Sequence, residues 1–160
     1  MKKLLFTLFL VAFLPSASFA QSSDARGWGY VFGGVGGRSA DNAASLHVGG
    51  GGEALLYKGF GLGGEIGYFA PFESAGDGFG LASVNLGYHF KTKASQKVVP
   101  FVTGGYSVAF RNNSSSGGNV GGGVHYWMKD KVGLRFEFRD HIFSSDSPRV
   151  YSFRVGFSFR

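Results

Sequence analysis

Cysteine is absent from the 160 residues, which excludes a disulfide framework, a thiolate zinc site, a cysteine nucleophile and a lipidated cysteine after the leader. Charge is scarce. Asp, Glu, Lys and Arg make up 16% of the chain, against roughly 25% in ordinary soluble proteins, and this weighs against a disordered or highly charged binding protein. Long apolar runs are missing beyond residue 20, and so is any three-turn stretch with the 3.6-residue period of an amphipathic helix. What the chain has in excess is glycine, 28 residues, together with 17% aromatics. The glycines follow no Gly-X-Y period, so a collagen-like reading fails and ordered structure must use glycine and rings together.

The first twenty residues, MKKLLFTLFLVAFLPSASFA, read as a secretory leader: two lysines, an apolar run from Leu4 to Leu14, then Ser18 and Ala20 at the spacing a signal peptidase accepts. That run is too short to cross a bilayer as a helix, which takes about 20 residues. We therefore expect cleavage between Ala20 and Gln21, leaving residues 21–160 as one domain. Without the two leader lysines the formal charge falls from +6 to +4. This is too mild to argue for a nucleic-acid partner.

Period two dominates the mature chain. Phe60, Leu62, Ile66 and Tyr68 alternate with Gly61, Gly63, Glu65 and Gly67, and Tyr151, Phe153, Val155, Phe157 and Phe159 alternate with Ser152, Arg154, Gly156 and Ser158. Eight such segments are predicted, over 27–37, 45–56, 59–70, 78–90, 98–110, 119–127, 132–142 and 150–159. Their lengths suit tilted strands that cross a bilayer in about 9 to 11 residues. The connections at 57–58, 91–97 and 128–131 are predicted to be mostly tight. Those at 38–44, 71–77, 111–118 and 143–149 are longer and rich in Ser, Asn, Asp and Gly, the asymmetry of outer-membrane barrels.

Alternation alone does not say which face is inside, because a soluble barrel would bury its apolar side. Residue size points to an outward apolar face: the polar set is mostly glycine and serine, the apolar set is Phe, Tyr, Leu and Val, and an eight-stranded interior is only wide enough to be filled by side chains. Two aromatic girdles are expected, Trp28, Phe60, Phe90, Tyr126 and Phe159 at the short-turn rim and Tyr68, Phe110, Phe138 and Tyr151 at the other. All six lysines after the leader, Lys58, Lys91, Lys93, Lys97, Lys129 and Lys131, fall in the short connections. There they avoid a cost of roughly 2 to 4 kcal/mol each at the bilayer midplane. The predicted fold is an all-β, eight-stranded antiparallel up-and-down transmembrane β-barrel. Glycine clusters such as Gly49–Gly52 and Gly121–Gly123 would allow curvature and let neighbouring rings lie over bare backbone.

The mature chain resembles the small OmpA-like outer-membrane β-barrel family, most specifically in Gly-Gly-Gly-Val-His-Tyr-Trp at 121–127, Val-Gly-Leu-Arg-Phe-Glu-Phe-Arg at 132–139 and the alternating aromatic last strand. The resemblance implies an outer-membrane location, contact with outer-membrane lipids and lipopolysaccharide, and dependence on the outer-membrane insertion machinery. For that machinery Gly156, Phe157 and Phe159 match the family's assembly signal. The chain ends in Arg160 where the family usually ends in an aromatic, and the peptidoglycan-binding domain that the larger OmpA proteins add after the barrel is not expected, so the resemblance does not imply cell-wall tethering.

Strand parity turns Glu53, Glu65, Arg135, Glu137, Arg139 and Arg154 toward the lumen. Three carboxylates and three guanidiniums in a narrow interior should pair, since an unpaired buried charge is strongly destabilising. The four histidines, His47, His89, His125 and His141, take the same parity but divide between the two rims, so no metal site is expected. Arg38, Arg111 and Arg149 flank three of the four longer loops and are candidates for lipopolysaccharide phosphates. Near the end of the seventh strand Asp140, His141, Ser144 and Ser145 are the residue types of the lipid A deacylases. Those enzymes carry His-x-Ser-Asn, however, whereas here His141 is followed by Ile142, Phe143 and Ser144. A non-enzymatic monomer without cofactor is expected, with a structural or surface-interaction role. A narrow gated channel, an outer-leaflet lipid hydrolase and a soluble lipocalin-like binder stand as alternatives.

Overall fold

Eight strands in chain order form a closed antiparallel barrel in the computed structural model, which describes residues 27–39, 44–90, 97–111, 114–143 and 149–160. They are β1 (Gly27–Arg38), β2 (Ser45–Tyr57), β3 (Phe60–Pro71), β4 (Phe79–His89), β5 (Val98–Phe110), β6 (Ser114–Lys129), β7 (Val132–Phe143) and β8 (Val150–Phe159). The leader and its cleavage point lie outside the described residues. Closure is made by β1 against β8, in register from Gly29↔Phe159 to Arg38↔Val150. It leaves no unpaired edge, which is the condition for a sheet to cross hydrocarbon. Both ends of the barrel chain emerge at the rim that holds the β2–β3, β4–β5 and β6–β7 connections. We call this the inner rim, following the orientation of outer-membrane barrels.

The predicted strands agree with the observed ones to within one residue at each end, except in the sixth. There the strand begins at Ser114 rather than 119 and runs on to Lys129, and Phe110↔Ser114 through Tyr106↔Gly118 continue the β5–β6 ladder. The segment Ser114–Gly118 has no apolar alternation to announce a strand. Its backbone nevertheless pairs with β5 throughout and with β7 from Gly117, opposite Phe143, and the Tyr106 hydroxyl donates to Ser116 Oγ at 2.8 Å. The outer β5–β6 loop is thus cut to 111–113, shorter than the inner connection 90–97. The expected contrast of short inner and long outer connections therefore holds only in part.

The β2–β3 and β6–β7 turns are equally tight, each with two residues between paired strand ends. Lys58 and Gly59 both take positive φ, 48° and 96°, between the paired residues Tyr57 and Phe60, the geometry of a two-residue hairpin turn of the primed kind. The β6–β7 turn follows a register shift between Trp127 and Lys129, a bulge that bends the strand end. The only helical element described is a short 3-10 turn, Ala75–Asp77, in the outer β3–β4 loop.

Leu62, Ile66, Val84, Leu86, Val102, Phe136, Phe153, Val155 and Phe157 are exposed on the outer wall. The inner-rim girdle of Phe60, Phe90, Tyr126 and Phe159 and the outer-rim girdle of Tyr68, Phe110, Phe138 and Tyr151 are exposed as well. Trp28 corrects the expectation. It is 7% exposed and points into the lumen, followed on the same face of β1 by Tyr30 and Phe32. Strand β1 thus inverts the size rule, with bulk inside and Gly29, Val31 and Gly33 outside. The room comes from β2, where a Cβ on Gly49 would lie 2.7 Å from Phe32 Cζ and one on Gly51 2.9 Å from the Tyr30 hydroxyl.

Candidate functional site: a filled lumen

The lumen is built in layers. Trp28 and Trp127 at the inner end belong to one buried apolar cluster that runs up β1 through Tyr30 to Phe32. His89 and His125 pack edge-on against Trp28 at 4.9 and 5.1 Å between ring centroids. At the outer end Phe69, Leu81, Phe143 and Val150 form a second. Between them lies the charged layer. Rings close both ends of the interior, and the ions occupy the middle.

Glu137 is the hub of that layer. Arg135 Nε donates to its Oε2 at 2.8 Å, and Arg139 donates to its Oε1 from Nε at 2.8 Å and Nη2 at 2.5 Å. Arg154 Nη2 lies 2.7 Å from Oε2 in ion-pair contact, while its Nη1 donates to Glu65 Oε1 at 2.5 Å. Glu65 also accepts from the Tyr30 hydroxyl at 2.9 Å. Strand parity brings these residues together: Glu137 and Arg154 are cross-strand partners on β7 and β8, and Glu65 reaches the same level from β3 across the lumen. Glu53 joins from β2, with Oε2 3.7 Å from Arg135 Nη1 and Oε1 2.6 Å from His89 Nε2. The carboxylate has space because Gly61 and Gly87 present bare backbone: a Cβ on Gly87 would meet Glu53 Oε1 at 2.6 Å.

All six ions predicted for the lumen therefore meet in one network, three acids against three guanidiniums. Rings hold it laterally, since Arg135 lies 4.5 Å from the Tyr30 centroid and 4.2 Å from that of Phe101, and Arg154 lies 4.2 Å from that of Phe32. Such contacts strengthen when desolvated. Each acid has several partners in the low-dielectric interior, so the structure retains the charges at a desolvation cost that good geometry offsets.

Four participants were not singled out in the sequence: Tyr30, Asn119, Ser107 and Ser83. Tyr30 serves Glu65. Asn119 accepts from Arg139 Nη1 at 3.0 Å and passes the chain on to Ser107 Oγ at 2.8 Å, which in turn meets Ser83 at 2.8 Å and His141 Nδ1 at 3.0 Å. Inward parity was the signal that would have found Asn119, which shares a face with His125; on β1 the outward placement expected for Trp28 carried Tyr30, on the same face, outward with it. His141 meets Ser107 rather than a loop serine, and both are wholly buried; Ser144 and Ser145 lie outside the described residues. The histidines divide as parity predicts, His89 near His125 with 5.8 Å between centroids and His47 near His141 with 6.4 Å. Among the described residues no group of three or more metal-ligating side chains converges.

The rim arginines have partners of their own. Arg111 donates to the Asp77 carboxylate at 2.8 Å and to the carbonyls of Asp77 at 2.8 Å and Gly76 at 3.1 Å. With Ser74 Oγ donating at 2.7 Å, this arrangement holds the Asp77 carboxyl below the usual carboxylate range, Arg111 being the larger cause. Arg149 pairs with Asp140, and its N–H donates to Ser39 Oγ at 3.1 Å. Arg38 closes the last β1–β8 pair, opposite Val150. At the other end Gly156 faces inward under Phe32, while Phe157 and Phe159 face outward. The terminal Arg160 lays its guanidinium 3.8 Å from the Trp127 centroid.

A closed barrel with an apolar outer wall, two aromatic girdles and a packed ionic lumen defines an integral outer-membrane β-barrel. The chain belongs to the outer membrane protein beta-barrel domain family, whose model matches residues 6–160. Its location is the outer membrane.

Solved structures agree in fold. The N-terminal β-barrel domain of Pseudomonas aeruginosa OprF is 18% identical with a TM-score of 0.62, covering 83% of this chain and 96% of that one. Neisserial surface protein A is 14% identical with a TM-score of 0.62, covering 83% and 94%. Ail, the attachment invasion locus protein of Yersinia pestis, is 12% identical with a TM-score of 0.52, covering 83% and 95%. No curated protein matches the chain.

Proposed function

We propose that the protein is a non-enzymatic envelope component, a filled barrel that contributes structure to the outer membrane and presents its outer loops for contacts. The observation that carries this reading is the lumen: three acids and three guanidiniums paired around Glu137 and bounded by a ring cluster at each end. Moving an ion through it would require breaking buried pairs, each worth about 3 to 5 kcal/mol when one partner is removed.

Two further observations support the reading. His141 is sealed among Ser107, His47 and Phe143, a setting that does not favour hydrolysis of an outer-leaflet lipid. Arg111 and Arg149 are engaged within the rim, so a lipopolysaccharide contact through them would first have to open the Asp77 and Asp140 pairs.

Purified protein in planar bilayers is expected to pass no stepwise current, and lipid A from expressing cells is expected to keep its mass. Steady single-channel openings would replace this reading with a narrow channel. Loss of an acyl chain that depends on His141 would replace it with a hydrolase.

A further inference from the structure

The outer wall is not uniform. Between β4 and β5, close to the inner rim, Phe60, Leu86, Tyr88 and Val102 surround a groove of about 140 Å³ floored by the backbone at Gly104. Outward parity places these side chains against hydrocarbon. Phe60 and Tyr88 are cross-strand partners with ring centroids 4.9 Å apart, and they mark the level at which amphipathic rings meet headgroups. The groove is open at Gly104, where an added Cβ would meet only the Asn119 carbonyl, at 3.5 Å.

Just beyond Phe60 stands Lys58. Its ammonium lies 4.9 Å from the Tyr57 centroid, and among the described residues it makes no ion pair. Its backbone is in the left-handed region at φ 48°, at the first central position of a turn where Asn, Asp or Gly is favoured. A lysine held there keeps a cation at the headgroup level at a conformational cost. The rim has the same sign elsewhere: its described connections also carry Lys97, Lys129 and Lys131, all exposed, against the single acid Asp130.

From this juxtaposition we propose that the groove and Lys58 form a binding site for an anionic glycerophospholipid of the inner leaflet, with one acyl chain lying over Gly104 and the phosphate paired to the ammonium. Charge complementarity selects the headgroup, because a polybasic rim attracts anionic lipid while a zwitterionic lipid offers no net charge. The bare backbone at Gly104 selects the position around the barrel.

Native mass spectrometry of the full chain, released from micelles holding equal amounts of phosphatidylglycerol and phosphatidylcholine with the same acyl chains, tests the site. Phosphatidylglycerol should be retained preferentially. Lys58→Asn, which suits the turn and keeps the barrel folded, should lower that retention by about fivefold, the usual worth of one lysine at an anionic surface. Gly104→Leu should lower it while leaving every lysine in place. Equal retention of the two lipids by the wild-type protein, or retention unchanged in both variants, would overturn the proposal. Loss in Lys58→Asn alone would also overturn it, by reducing the site to rim charge without a groove.

Discussion

Strands β1 and β8 are hydrogen-bonded neighbours over almost their whole length, yet they use their two faces in opposite ways. β8 turns Ser152, Arg154, Gly156 and Ser158 inward and Tyr151, Phe153, Val155, Phe157 and Phe159 outward. β1 turns Trp28, Tyr30 and Phe32 inward and Gly29, Val31 and Gly33 outward. The two arrangements are complementary. Phe32 lies over Gly156 and beneath the Arg154 guanidinium, and on the other side Gly49 of β2 gives it room. Bulk inside a narrow barrel is thus set by the sum over facing walls, with each inward ring matched to inward glycine nearby.

Breaking the charged side of this comparison should have the largest effect. Arg154→Leu leaves Glu65 and Glu137 each short of a partner and should cost about 3 to 5 kcal/mol, read as a lower urea midpoint for unfolding in micelles. Next comes the steric side. Gly49→Ala puts a methyl against Phe32 Cζ and the Gly67 backbone, both 2.7 Å from the added carbon, and should cost about 1 to 3 kcal/mol by overpacking; the same urea experiment measures it. The outward faces should be nearly indifferent. Val31→Leu on β1 and Phe157→Leu on β8 both keep an apolar side chain in lipid, and each should change stability by no more than about 0.5 kcal/mol.

The smallest effect is expected away from both strands, at the exposed clasp of Asp77 with Arg111. The folded carboxyl is held below its ordinary range, so the clasp contributes at pH values above the unfolded pKa and is lost as pH falls through the folded one. Carbon-detected NMR titration of the Asp77 carboxyl should show the lowered midpoint, and Arg111→Ala should return it toward the ordinary value.

Much of this was legible because parity is strict once a strand is recognised. The positions of Glu65, Glu137, Arg135, Arg139 and Arg154 required only alternation with outward rings, and that of Glu53 alternation with the outward Leu46 and Val48; no register slip intervenes between β7 and β8 across the charged layer. Trp28 was misplaced for a physical reason. Its flanking residues are glycines, so β1 offers no bulky outward set from which to count, and size was taken as the guide where only the facing wall could decide. The start of β6 was missed because Ser114–Gly118 has no apolar face at all; its pairing comes from backbone hydrogen bonds supplied by β5 and β7, which local sequence does not display. The Asn119–Ser107–Ser83 chain was hidden similarly, since its members come from three strands whose relative stagger emerges only on closure.

Brominated-lipid quenching of tryptophan fluorescence tests the central claim most directly, because the chain has two tryptophans and both are buried in the lumen at the inner end. Emission from the protein in brominated bilayers should be quenched far less than that of a Phe157→Trp variant, whose added indole faces lipid. Equal quenching of the two proteins would place the wild-type indoles on the outer wall and contradict an inward-facing β1 and the filled lumen built upon it.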